Sequence, residues 1–227
     1  MSRLSARLGF WSAFLVTLSF LVFTVCFVAI PLTSRLFVWT DLADYVTYTN
    51  TNSQFFQDTA RLAMLLFGPL FVILLNSIYE YASPERRVLA RIGLCFGVIF
   101  AALTGINYFV QLSAVRISVL QGQVQGLEQF VQSNPYSGVA AINLLGWSLF
   151  LGLCSLFVAP VFSGGRLERL ISLGFWLNGV FCILGGAGYL LNNIVMIYWT
   201  LDIGMGGAVL LAAIELCVFF RRVEREV

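Results

Sequence analysis

Six apolar runs, near 9–30, 61–80, 91–112, 140–161, 169–190 and 198–220, constrain this chain more than any other feature. At 1.5 Å per residue, about 20 helical residues cross a ~30 Å hydrocarbon core. Each run has that length. A bilayer offers its interior backbone no hydrogen bonds, so each run must satisfy its own N–H and C=O groups as a helix. The fold class expected is all-α: a polytopic membrane protein forming one six-helix transmembrane bundle over 1–227. Only 11% of the 227 residues are charged, against about 25% in a soluble domain. The first run follows Arg3 and Arg7 as a signal peptide would. Its apolar stretch, Gly9 to Ile30, is too long for such a segment, and no A-x-A cleavage pattern follows. It reads as a retained helix.

All thirteen basic residues are Arg, and their placement sets an orientation. Arg3, Arg7, Arg86, Arg87, Arg91, Arg166, Arg169, Arg221, Arg222 and Arg225 fall on one side of the six-run scheme. Arg35, Arg61 and Arg116 fall on the other. Basic residues accumulate in cytoplasmic segments, so both termini are expected in the cytoplasm of a multi-pass cell-membrane protein. The long segments 32–60 and 113–139 then lie outside. In the second, Leu120, Val124, Leu127 and Val131 recur at helical spacing. They predict a short amphipathic helix there, on the outer surface or continuing the third run, ended by Asn134-Pro135.

The residues that are missing exclude much chemistry. Without Lys there is no Schiff base, and without His no imidazole base, His-ligated haem or common zinc site. Five cysteines lie inside apolar runs with no CxxC pair, so they read as small hydrophobes. No phosphate-binding loop, dinucleotide fingerprint, arginine ladder or nucleic-acid signature is present. "LDIGMGG" has a superficial likeness to the GxGD segment of intramembrane aspartyl proteases. Those need a second membrane aspartate, and Asp41, Asp44 and Asp58 all lie outside the runs. No cofactor, metal or catalytic constellation is expected, and no nucleic-acid partner.

Attention therefore falls on polar groups at membrane depth. Asp202 lies 19 residues before Arg221, about 28 Å of helix, which puts it near the outer boundary beside Tyr198 and Trp199. A sixth helix starting at Ile194 instead would place it deeper. The same ruler run from Arg91 puts Asn107 and Gln111 at the outer side, with Asn143, Asp58, Arg61, Arg116 and Asn192 at similar level. Asp202, Arg116, Gln111, Asn107, Arg61 and Asn143 form the expected ligand site, with Asp202 paired to Arg116 or Arg61. Deeper polar groups are Asn178, Glu215 and Asn76. For Asn178 the reading is an interhelical hydrogen bond. Glu215, with Asn76 and Glu80, marks an inner polar patch within reach of Arg91.

Small residues repeat at Gly93, Gly97, Ala101 and Thr104, and 81 residues later at Gly174, Asn178, Cys182 and Gly185. Gly204, Ala208 and Ala212 form a further stripe, from which the sixth helix is expected at the centre of the bundle. The function expected is non-catalytic binding of a lipid, a small amphipathic solute or a partner membrane protein, with a homo-oligomer as another partner. The alternatives are a transporter or channel subunit with a polar path past Asn178, and a membrane enzyme acting on lipid.

Overall fold

The computed structural model describes residues 1–226. It is all-helical: α1 Arg3–Thr33, α2 Leu42–Thr51, α3 Phe55–Tyr81, α4 Arg87–Leu120, α5 Gly138–Val161, α6 Arg166–Leu190 and α7 Ile194–Glu226. All but α2 are long and apolar enough to cross a membrane. Four of the helices begin at sequence-encoded caps. Side-chain oxygens of Ser2, Asp41, Ser137 and Asn193 accept the backbone N–H three residues on. Asn193 starts α7 at Ile194 rather than 198, so the longer of the two expected helices is the one formed.

The six long helices make a ring in chain order. α1 packs on α3, α3 on α4, α4 on α5, α5 on α6, α6 on α7, and α7 closes back onto α1. The chain crosses back and forth through six helices, so each neighbour in the ring runs antiparallel, as the pairs Gly9–Phe220, Gly68–Ala101 and Gly174–Ala212 show. α7 is therefore one wall among six rather than the centre. Its stripe meets its neighbour α6: Gly174 approaches Ala212, and Phe181 lies over Gly204. In lipid, apolar burial does not drive helix association, so close packing through small residues has to. The stripes of α4 and α6 each divide between two neighbours: Gly97 meets Leu75 of α3, and Gly174 and Gly185 meet Ala212 and Leu201 of α7, while other members face α5. Gly93 accepts Val158 and Cys154, whereas Gly152 and Gly179 of α5 and α6 interlock with Ile183 and Leu156.

The ring axis is filled. Phe67, Phe71, Leu74, Leu151 and Phe175 meet there around a void of about 20 Å³ beside Asn178. Asn178 Nδ2 donates to Ser155 Oγ at 2.6 Å, bridging α6 to α5 as expected. The outward faces carry many exposed Leu, Ile, Val and Phe side chains, as a lipid-facing surface does.

The second outer segment departs from its expectation. α4 continues to Leu120, and two glycines in left-handed conformation, Gly122 (φ 66°) and Gly126 (φ 76°), then turn the chain. A single 3₁₀ turn, Leu127–Gln129, stands where the amphipathic helix was expected. Val119, Leu127 and Val131 are still buried. They pack with Val115 against Tyr45, Phe37 and Trp39 of the first outer segment, where α2 forms instead. The two long segments thus make one small apolar cap over the outer end of the ring.

Candidate functional site

Beneath this cap lies a cavity of about 650 Å³, within the size range of small-molecule sites. Its walls come from the outer halves of α1, α3, α4, α5 and α7. Gln132 and Ser133 of the cap form part of its roof, held there by Gln111. Gln111 is fully buried on α4; its Nε2 donates to the Phe130 carbonyl at 2.7 Å and its Oε1 accepts the Gln132 N–H at 3.0 Å. Its role is thus structural: it fixes the roof.

The floor is aromatic. Phe67, Phe100 and Trp147 pack with ring centroids 4.9–6.2 Å apart, and Phe20 adjoins Phe67 at 6.1 Å. Trp147 is pinned by its indole N–H, which donates to Tyr108 Oη at 3.2 Å. This layer divides the cavity from the small void on the axis.

One side is open. α1 touches α7 almost wholly through the inner portion, Gly206–Glu226. There Phe220 lies across Gly9 and the Arg221 guanidinium sits over the Phe10 ring at 5.0 Å. Further out the two helices diverge, and Phe27 of α1 and Asp202, Ile203 and Gly207 of α7 face the gap with exposed side chains or backbone. Three π-helical segments, Gln111–Val115, Gly146–Phe150 and Tyr198–Met205, all lie in outer halves, on helices that wall this cavity. Such segments re-aim side chains and recur at functional sites. Trp147, Leu201, Asp202 and Met205 reach the cavity from within two of them.

The polar lining gathers three of the residues expected at the site: Arg61, Asn143 and Asp202. The expected ion pair is absent. Arg61 Nη1 donates to Asp58 Oδ1 at 3.0 Å, one helical turn away. Arg116 points out from α4 and is exposed. Asp202 has no cation within 4.0 Å among the described residues. The reason is geometric: Arg61 has a carboxylate partner on its own helix, at lower entropic cost than one across the cavity. Gln57, a turn before Arg61, also lines the cavity and reaches Tyr48 Oη at 3.3 Å. Tyr45 lies close by in the cap. Burial pushes its phenol above its ordinary value, with the neighbouring Arg61 pulling the other way.

Two buried amides carry atoms without partners. Asn143 is 9% exposed and its Oδ1 accepts no hydrogen bond. Asn107, on α4, is fully buried with neither amide atom bonded. Thr104 packs on Gly146 where α4 meets α5, and Asn107 and Asn143 each lie three residues further out on these antiparallel helices. They therefore occupy one level, Asn143 in the cavity wall and Asn107 behind it, with the unpartnered atoms of both sealed from the cavity. Asn192, with φ 52°, forms the exposed α6–α7 turn and stands outside the site.

The inner polar patch does not form. Asn76 and Glu80 lie on α3 without burial, while Glu215 is buried on α7, with α1 between them in the ring. Arg91 donates instead to Tyr79 Oη at 3.0 Å. Glu215 Oε2 has no hydrogen-bond partner among the described residues.

Gln57, Tyr108, Trp147, Gly206 and Gly207 line the cavity in addition to the expected residues. The spacing of several carries a signal: Gln57 with Arg61, Asn143 with Trp147, and Asp202 with Gly206 are each four residues apart, on one helical face. Comparison of the chain with protein-family models, with curated proteins and with solved structures finds no match in any of the three.

Proposed function

We propose that this membrane protein binds a bilayer amphipath in the outer-half cavity, admitting it sideways between α1 and α7. One observation carries the reading: a roofed cavity of about 650 Å³ has polar groups at Arg61 and Asn143, and a side gap whose α7 edge carries Asp202 among apolar residues. An amphipath entering from the lipid keeps its chains in the gap and offers its head to these polar groups. Binding without catalysis fits a polar lining of amides, one guanidinium already paired, one carboxylate and the hydroxyls of Thr24, Tyr108 and Ser133, none of which is bonded to a side-chain base among the described residues. A transport path would have to pass the aromatic floor and the filled axis at Asn178, where the void is only about 20 Å³.

The arginine asymmetry supports cytoplasmic termini, and the cavity then faces the outer leaflet. The test is native mass spectrometry of the protein extracted gently from its membrane. A retained amphipath is expected for the wild type and its loss for Gly207→Phe. Gly207 lines the cavity, and a Cβ there meets nothing within 4 Å, so a ring fits into the space the ligand needs. Equal retention by both proteins would overturn the assignment.

A further inference from the structure

The cavity lining holds a carboxylate that the protein itself leaves unpaired. Asp202 lines the cavity with its side chain exposed, and it makes no ion pair among the described residues. A carboxylate at membrane depth without a counter-ion is costly. That cost falls when a donor carrying positive charge enters. On the same lining, Arg61 has one guanidinium nitrogen engaged by Asp58, and a guanidinium carries five N–H groups, more than that one bond uses. That part of the lining suits an anionic oxygen.

We infer that the occupant is a zwitterionic phospholipid with a primary ammonium, as in phosphatidylethanolamine; this rests on the lipid-binding reading above. Its ammonium donates to the Asp202 carboxylate, and its phosphate faces Arg61. A trimethylammonium head has the same charge and no N–H to give. It would meet Asp202 through charge alone and leave the carboxylate oxygens without an N–H, so discrimination comes from hydrogen bonding rather than charge. A glycerol head donates hydroxyls but leaves Asp202 without its counter-ion.

The experiment uses the full chain in nanodiscs of one acyl composition, whose lipid is phosphatidylethanolamine, its mono- and dimethylated forms, phosphatidylcholine or phosphatidylglycerol, pairwise at equal fractions. Retained lipid is read by native mass spectrometry. Retention is expected to fall along the methylation series, with a preference of about tenfold for phosphatidylethanolamine over phosphatidylcholine, as one lost hydrogen bond to a charged donor implies. Asp202→Asn is expected to shrink that ratio several-fold. Asp202 makes no ion pair whose loss would unfold the protein, so its variant remains interpretable. Equal retention across the series, or preference for phosphatidylglycerol, would overturn the head-group assignment while leaving the cavity a lipid site. Absence of any retained lipid would overturn the lipid-binding reading itself.

Discussion

Replacing Ser155 with Ala tests whether Asn178 is a packing element or part of a path. The bond between Asn178 Nδ2 and Ser155 Oγ is 2.6 Å long, and the residues are 3% and 0% exposed. Hydrogen bonds between membrane helices average about 0.6 kcal/mol and reach about 1.7 kcal/mol. A short, wholly buried bond belongs in the upper part of that range. Ser155→Ala should therefore cost about 1–2 kcal/mol, because Asn178 keeps a donor with nowhere to send it. The adjoining void of about 20 Å³ has room for one water. Its other lining is apolar, and one amide is too little to hold a water that needs two to four partners. Rescue by solvent is not expected. Asn178→Leu leaves a serine that can turn back to the carbonyl four residues earlier, at a cost of about 0–1 kcal/mol. The double variant should then resemble Asn178→Leu alone, and the cycle should show coupling of about 1 kcal/mol. Reversible unfolding in mixed micelles gives the four stabilities. Additive costs, within about 0.3 kcal/mol, would refute the reasoning. So would an Asn178→Leu protein of unchanged stability that no longer retains lipid.

Gln111→Leu should free the roof: losing two bonds to the 130–132 backbone costs about 1–3 kcal/mol locally, and exchange of the Gln132 amide should rise about ten- to hundredfold by mass-resolved hydrogen exchange. Gly126→Ala, at φ 76°, should destabilise by about 1–2 kcal/mol in the same unfolding assay, although its Cβ would meet open space. With the five native cysteines replaced, a cysteine at Ser53 should react with an impermeant maleimide on intact cells, and one at Ser163 only after lysis; the reverse pattern would invert the orientation.

Apolar runs and arginines make the six helices legible, because length and hydropathy act locally along the chain. The ring is not legible in this way. Small residues at Gly204, Ala208 and Ala212 say that something packs closely there, but not which helix does, and a centre and a wall need the same stripe. The outer cap shows the same limit. Leu127 and Val131 read as the apolar side of a helix, and they are buried, yet Gly122 and Gly126 take the chain out of helical geometry. At the site, depth counting puts Asp202, Asn143 and Arg61 at one level, and they do line one cavity. Counting depth gives no azimuth. Arg116 shares that level and faces away, and Arg61 is closer to Asp58 than any ruler could indicate.

The α1–α7 gap has a consequence for when the binding site comes into existence. Every other pair of neighbours in the ring is joined by a connecting segment, so it can form as a hairpin during synthesis. Of these six helices α1 stands first and α7 last in chain order, so their contact waits for α7. The cavity therefore has no second lip until α7 is in place, and until then α1 presents Phe20, Phe23 and Phe27 to lipid. Closure begins where Phe220 and Arg221 seat on Gly9 and Phe10. A chain shortened before α7 would keep five long helices and lose the site entirely. The same seam, untethered by any loop, is where the ring can widen or narrow around an occupant without pulling on the backbone connections elsewhere.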